Sequence, residues 1–117
     1  MSAREAPMIE NRRHPRYAVE LDCLIDDGGR SIAGRSKNIS QSGIACIVPT
    51  AIEVSSVVTL TISLVFGANL FSEPLKLDAT IVWCTRVGDS YQIGAKFANL
   101  TSQLRSFLDL FAHYLES

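Results

Sequence analysis

Three arginines stand close together near the amino terminus, in the run Asn11-Arg12-Arg13-His14-Pro15-Arg16-Tyr17. A guanidinium is a planar fork that can bond a phosphate bidentately, meet the O6/N7 edge of guanine, or stack on a purine. Pro15 has no N–H and biases His14 towards extended geometry, so the run reads as an extended arm. Arg12 and Arg16, four apart on such an arm, can grip opposite sides of one compact anionic ligand. Taken alone, the spacing also describes a solvated charge run beside a strand. A second polar cluster, Asn38-Ile39-Ser40-Gln41-Ser42-Gly43, reads as a turn by composition. Asn38 and Ser40 would present short, stiff polar groups beside turn N–H groups. Gly43 would permit a positive φ or a close approach of ligand to backbone.

The remaining reactive residue types form no such constellation. His14 and His113 belong to no spaced metal-ligand cluster, and no GxSxG, HExxH, Walker-type or dinucleotide-binding fingerprint is present. Cys23, Cys46 and Cys84 are an odd number, with no CxxC pair, and read as small buried hydrophobes in a reducing compartment. The sequence therefore predicts a binding protein rather than an enzyme, with no catalytic residue, no metal and no cofactor.

The elements that must position these residues follow from periodicity. The chain has 117 residues, 47% apolar and 20% charged, which suits one folded domain. Net charge is −1, yet seven of the eleven Lys and Arg lie in residues 1–37. A local basic patch on a near-neutral protein fits a small anion better than a polyanion, so no nucleic acid is expected. The longest apolar run, Val57 to Phe66, is broken by Thr59, Thr61 and Ser63 and is too short to span a bilayer. With no apolar leader after the first charges, a cytoplasmic protein without membrane insertion is expected.

Residues 1–10 read as a flexible tail and 11–17 as the basic arm. Val19, Leu21, Cys23 and Ile25 alternate with Glu20 and Asp22, and Asp26-Asp27-Gly28-Gly29 supplies a hairpin turn. The return strand, roughly Arg30 to Lys37, is weakly patterned and reads as exposed or bulged. Ile44, Cys46 and Val48 form a third strand ending at Pro49, and Val58 to Leu64 a fourth. Leu75, Leu77, Ala79, Ile81 and Trp83 share one face of a long fifth strand, followed by Tyr91 to Phe97. Leu104, Phe107, Leu108, Phe111 and Leu115 then fall at helical spacing, with Thr101 or Ser102 as N-cap. Tandem antiparallel strands ending in one amphipathic helix predict a mainly β protein, a small barrel over 18–98 with a helix over 101–116.

An RxxxR arm before the first strand, then NxSxxG after a hairpin, resembles the PilZ domain family. The resemblance continues through Val19-Glu20-Leu21, Gly43-Ile44-Ala45 and Tyr91-Gln92-Ile93-Gly94-Ala95-Lys96-Phe97, and covers about residues 10–115. It implies a six- to seven-stranded antiparallel PilZ-type β-barrel with a C-terminal α-helix, a PilZ domain spanning 11–117. It also implies a receptor for the bacterial second messenger cyclic di-GMP. Arg12 and Arg16 match the motif arginines, and Asn38, Ser40 and Gly43 match the (D/N)xSxxG motif. Arg13, between the arginines, is expected to assist with phosphate or stack on a guanine. Asn11 stands where some relatives carry a further basic residue, a factor in whether one ligand molecule or an intercalated pair is bound.

The resemblance further implies an arm that orders over the ligand and changes the surface offered to a downstream protein in motility, exopolysaccharide or virulence control. The alternative is a ligand-independent interaction adaptor of the same fold. A single-strand-binding barrel is disfavoured, because its aromatic platforms would sit in a wide basic groove.

Overall fold

The computed structural model describes residues 14–67 and 70–116. The expectations placed on the 1–10 tail and on Arg12 and Arg13 lie outside those residues. The alternating segments form β1 (Tyr17–Ala18), β2 (Asp22–Asp27), β3 (Arg30–Ile39), β4 (Gly43–Val48), β5 (Val57–Ile62), β6 (Leu75–Val87) and β7 (Ser90–Ala98). One helix, α1 (Ser102–Glu116), follows. Neighbouring strands run in the order β1-β3-β2-β5-β6-β7-β4, and a further β3–β4 pairing closes β2 to β7 into a six-stranded antiparallel barrel. Closure leaves each barrel strand paired on both sides over part of its length, which removes the exposed edges of an open sheet. β1 adds to the end of β3 on the same side as β2.

The barrel interior is filled by the apolar alternates, among them Ile25, Ile44, Leu60, Leu77, Ile81 and Ile93. α1 closes one end, burying Leu108 and Phe111, and Phe66 packs edge-on to Phe111 with ring centroids 5.4 Å apart. Burying a side chain the size of Phe111 contributes about 1.5–3 kcal/mol. Of the two candidate caps the helix uses Thr101, whose Oγ1 accepts the Leu104 N–H at 3.1 Å. Cys23 and Cys46 are buried with their sulfurs 3.7 Å apart. The hydrogen bond to Cys23, with burial behind it, pushes the Cys46 thiol up, while the same hydrogen bond from Cys46 lowers Cys23.

Three local features depart from simple alternation. The strand expected to start at Val19 is interrupted. Tyr17–Ala18 pair with Ile39–Asn38, β2 begins at Asp22 opposite Arg35, and Val19–Leu21 arch between. Asn38 and Ile39, assigned to a turn by composition, complete β3, so the turn shrinks to residues 40–42. Its register on β4 slips between Ser36 and Asn38, which makes Lys37 an extra residue. The same happens on β6, where Ile81 pairs with Ala95 but Trp83 pairs with Gly94. Trp83, expected on the core face with Ile81, is thereby turned to the outer face. A bulge inserts one residue and reverses the alternation beyond it.

Candidate ligand-binding site

The site begins at the arch. Ile32, Gly34 and Ser36 are the inward alternates of β3, and Ser36 is 2% exposed. Its hydroxyl donates to the Val19 carbonyl at 2.5 Å and accepts the Leu21 N–H at 2.8 Å. Both backbone groups would otherwise lack a ladder partner where β1 gives way to β2, and a buried unpaired group costs about 1–3 kcal/mol. The Ser36 N–H donates to Leu21 O at 2.9 Å. One buried serine thus pins the base of the basic arm. Sequence reading missed it, although a polar residue on the inward alternation of β3 was the available signal.

Beyond the arch the extra residue at Lys37 keeps Ile39 in the core and puts Asn38 on the outer face. Arg16, at the end of the arm, donates from Nη1 to Asn38 Oδ1 at 2.8 Å. A guanidinium only donates, so Oδ1 is the Asn38 atom facing Arg16 and the amide nitrogen is turned away from it. The two motifs, twenty-two positions apart in the chain, are therefore in direct contact on one exposed surface.

Ser40 and Gly43 occupy different ground. The Ser40 hydroxyl accepts the N–H groups of Ser42 and Gly43, each at 3.1 Å, and the side chain is buried. This is a serine closing its own turn, reinforced by the Ser40 N–H donating to Gly43 O at 2.8 Å. Gly43 has no positive φ. A Cβ there would stand 2.6 Å from the Ala95 carbonyl oxygen of β7, so close approach of a neighbouring strand, not turn handedness, requires glycine. Arg16 and Asn38 face solvent, while Ser40 and Gly43 shape the turn beneath them.

α1 is tied to both halves. Tyr17 donates its phenolic proton to Glu116 Oε2 at 2.8 Å, and Gln41 Nε2 donates to Asp109 Oδ1 at 2.5 Å. The carboxylate of Glu116 raises the Tyr17 phenol above its ordinary value, through the hydrogen bond first. The arm base and the motif turn therefore both rest on the helix.

A groove of about 770 Å³ starts at Ala18 and Val19 and runs past Arg35 and Lys37 to Pro49, yet Arg16, Asn38, Ser40 and Gly43 do not line it. Arg35 is held there by Glu20 at 3.3 Å and Asp22 at 2.9 Å, so the groove is less suited to an anion than the Arg16–Asn38 face. Among the described residues no group of His, Cys, Asp and Glu could hold a metal ion, and no helix is long and apolar enough to cross a membrane.

Comparison with known proteins agrees with this architecture. The family model for the PilZ domain matches residues 10–113. Similar solved structures include the inhibitor of motility MotI/DgrA of Bacillus subtilis, with TM-score 0.74, 17% identity, and coverage of 91% of this chain and 49% of that one. Another is the PilZ domain with c-di-GMP of YcgR from Escherichia coli, with TM-score 0.73, 15% identity, and coverage of 91% and 92%. The MrkH–c-di-GMP complex of K. pneumonia gives TM-score 0.73 and 16% identity, with coverage of 91% and 52%. At these identities the likeness is one of fold. The chain spans about half the length of MotI/DgrA and of MrkH. No curated protein matches the sequence.

Proposed function

The chain belongs to the PilZ domain family, and from that premise we propose that it is a receptor for cyclic di-GMP. The observation that carries the reading is the Arg16 guanidinium docked on Asn38 at the outer face of the barrel. Cyclic di-GMP has two phosphates and two guanines, the groups a guanidinium recognises best. YcgR and MrkH, which share the fold, have structures with c-di-GMP. In this reading Arg16 is the inner jaw of a clamp and Arg12 the outer, with Arg13 assisting. Asn38 orients Arg16 and offers its amide N–H to the ligand. Ser40 and Gly43 hold the turn on which Asn38 depends.

The output is a change in arm geometry. Tyr17 and Gln41 connect the arm base and motif turn to α1, so closure of the arm over ligand bears on the helix surface that a downstream protein would read. The receptor acts by binding, with no bond made or broken. Titration calorimetry with cyclic di-GMP tests this directly. Arg16→Ala removes a contact of about 1–3 kcal/mol, a loss of about five- to a hundredfold in affinity. Wild-type affinity in that variant would overturn the site, and no heat from the wild-type protein would favour the ligand-independent adaptor.

A further inference from the structure

Beneath the clamp the barrel core holds a pair of thiols that the ligand site does not use. Cys23 of β2 and Cys46 of β4 are buried and free, with their sulfurs 3.7 Å apart. Their strands are not neighbours in the sheet order. Both flank β3, where Cys23 pairs with Gly34 and Cys46 with Ser36. A Cβ at Gly34 would fall 2.7 Å from Ile47 O and 2.8 Å from Val48 Cγ1. With no side chain at position 34, the two cysteines reach over β3 and meet.

The pair is also joined to the arch that holds the arm. Cys23 Sγ lies 3.5 Å from the Leu21 carbonyl oxygen, and Ser36, opposite Cys46, accepts the Leu21 N–H. Cys46 donates its S–H to Cys23 Sγ, so Cys23 is the sulfur that ionises first and attacks first. Cys23 also lines a surface groove of about 510 Å³ together with Leu21, Val65 and Phe71. That groove brings a water-sized oxidant to the strand that carries it. Cys84, the third free thiol, is half-buried on β6 and outside the pair.

We propose that Cys23 and Cys46 are a peroxide-sensitive modification site, closing to a reversible disulfide that loosens the arch beneath the basic arm. The Cys23 thiolate attacks hydrogen peroxide, an S–O bond forms, and the O–O bond breaks. The departing hydroxide takes up the proton that Cys23 released and leaves as water. The Cys46 sulfur then attacks the Cys23 sulfenic acid, whose hydroxyl leaves with the Cys46 proton as a second water. Two thiols lose two electrons, and one peroxide is reduced to two waters. The sulfurs close to about 2.05 Å, which draws Cys23 towards Cys46 and away from Leu21. Because the bridge spans strands that are not neighbours, it is strained and easily reduced, as regulatory disulfides are. Ser36 sits at the crossing, so the movement passes to its bonds with Val19 and Leu21.

Hydrogen peroxide treatment of the folded full chain, then unfolding, alkylation and peptide mass analysis, tests the site. The expected product is a monomer about 2 Da lighter than the reduced chain, with the Cys23 and Cys46 peptides joined. Cys84 should remain open to alkylation, and dithiothreitol should restore the pair. Cys84→Ser should oxidise as the wild type does, and Cys46→Ala should stop at a Cys23 sulfenic acid that dimedone traps. By hydrogen exchange, the Leu21 amide should open about three- to tenfold faster in the oxidised chain, with Leu77 unchanged. Alkylation of Cys23, Cys46 and Cys84 alike after peroxide, oxidation to sulfinic acid without a bridge, or a bridge through Cys84 would overturn the disulfide. A Cys23–Cys46 bridge with unchanged Leu21 exchange would overturn its control of the arch. None of these measurements uses cyclic di-GMP, so their failure and the failure of the receptor reading are separate results.

Discussion

Two bulges flank the outer face of the barrel, one in β3 and one in β6, and opposite means hold them in place. The β3 bulge turns Asn38 outward and keeps Ile39 in the core. It is stabilised by polar contacts, with Ser36 satisfying Val19 O and Leu21 N in the arch beside it. The β6 bulge turns Trp83 outward, and its indole is seated by packing on Gly94. A buried hydrogen-bond pair has no substitute when one partner is removed, whereas a half-exposed ring can swing aside. The β3 side should therefore be rigid and the β6 side adaptable.

The largest expected effect tests the polar bulge. Ser36→Ala leaves the Leu21 N–H and Val19 C=O without their hydroxyl partner, and should cost about 1–3 kcal/mol in chemical denaturation. Arg16 is then less well placed over Asn38, so affinity for cyclic di-GMP should fall as well. Stability unchanged by Ser36→Ala would break the contrast between the two bulges. Gly94→Ala should cost less, about 1 kcal/mol, because the indole can move away from the added methyl. A cost above that of Ser36→Ala would show that the β6 bulge is the stiffer one. The smallest stability effect is expected from Asn38→Ala, within about 0.5 kcal/mol for an exposed contact. Its binding should drop all the same, which separates presenting a contact from holding the fold.

The barrel was readable because period-two alternation specifies which face of each strand is buried, and Val58, Leu60 and Ile62 leave no second choice. The helix was readable because Leu104, Leu108, Phe111 and Leu115 repeat at 3.6. Within the candidate site, the arm and turn motifs pointed to Arg16 and Asn38 by chemistry, and the two side chains meet at 2.8 Å. The positions of Trp83 and Ser36 were not readable in the same way. A bulge is a local choice made by the paired strand, so Ile81-Val82-Trp83 looks like uninterrupted alternation until Gly94 is set opposite it. The need for glycine at position 43 likewise comes from Ala95 in a strand far along the chain, and no neighbour in sequence betrays it. Asn38 read as part of a turn because Asn, Ser and Gly dominate 38–43, and the strand pairing of β3 overrode that local preference.

The central claim is that the surface around the Arg16–Asn38 contact is the ligand site, and amide shift mapping tests it most directly. With an isotope-labelled full chain titrated with cyclic di-GMP, the largest shifts should fall on Arg16, Asn38 and the 40–43 turn, with Ile25 and Leu60 in the barrel interior little changed. Shifts concentrated instead on Arg35, Lys37 and Ser90, in the neighbouring groove, with Arg16 and the 40–43 turn unmoved, would contradict it.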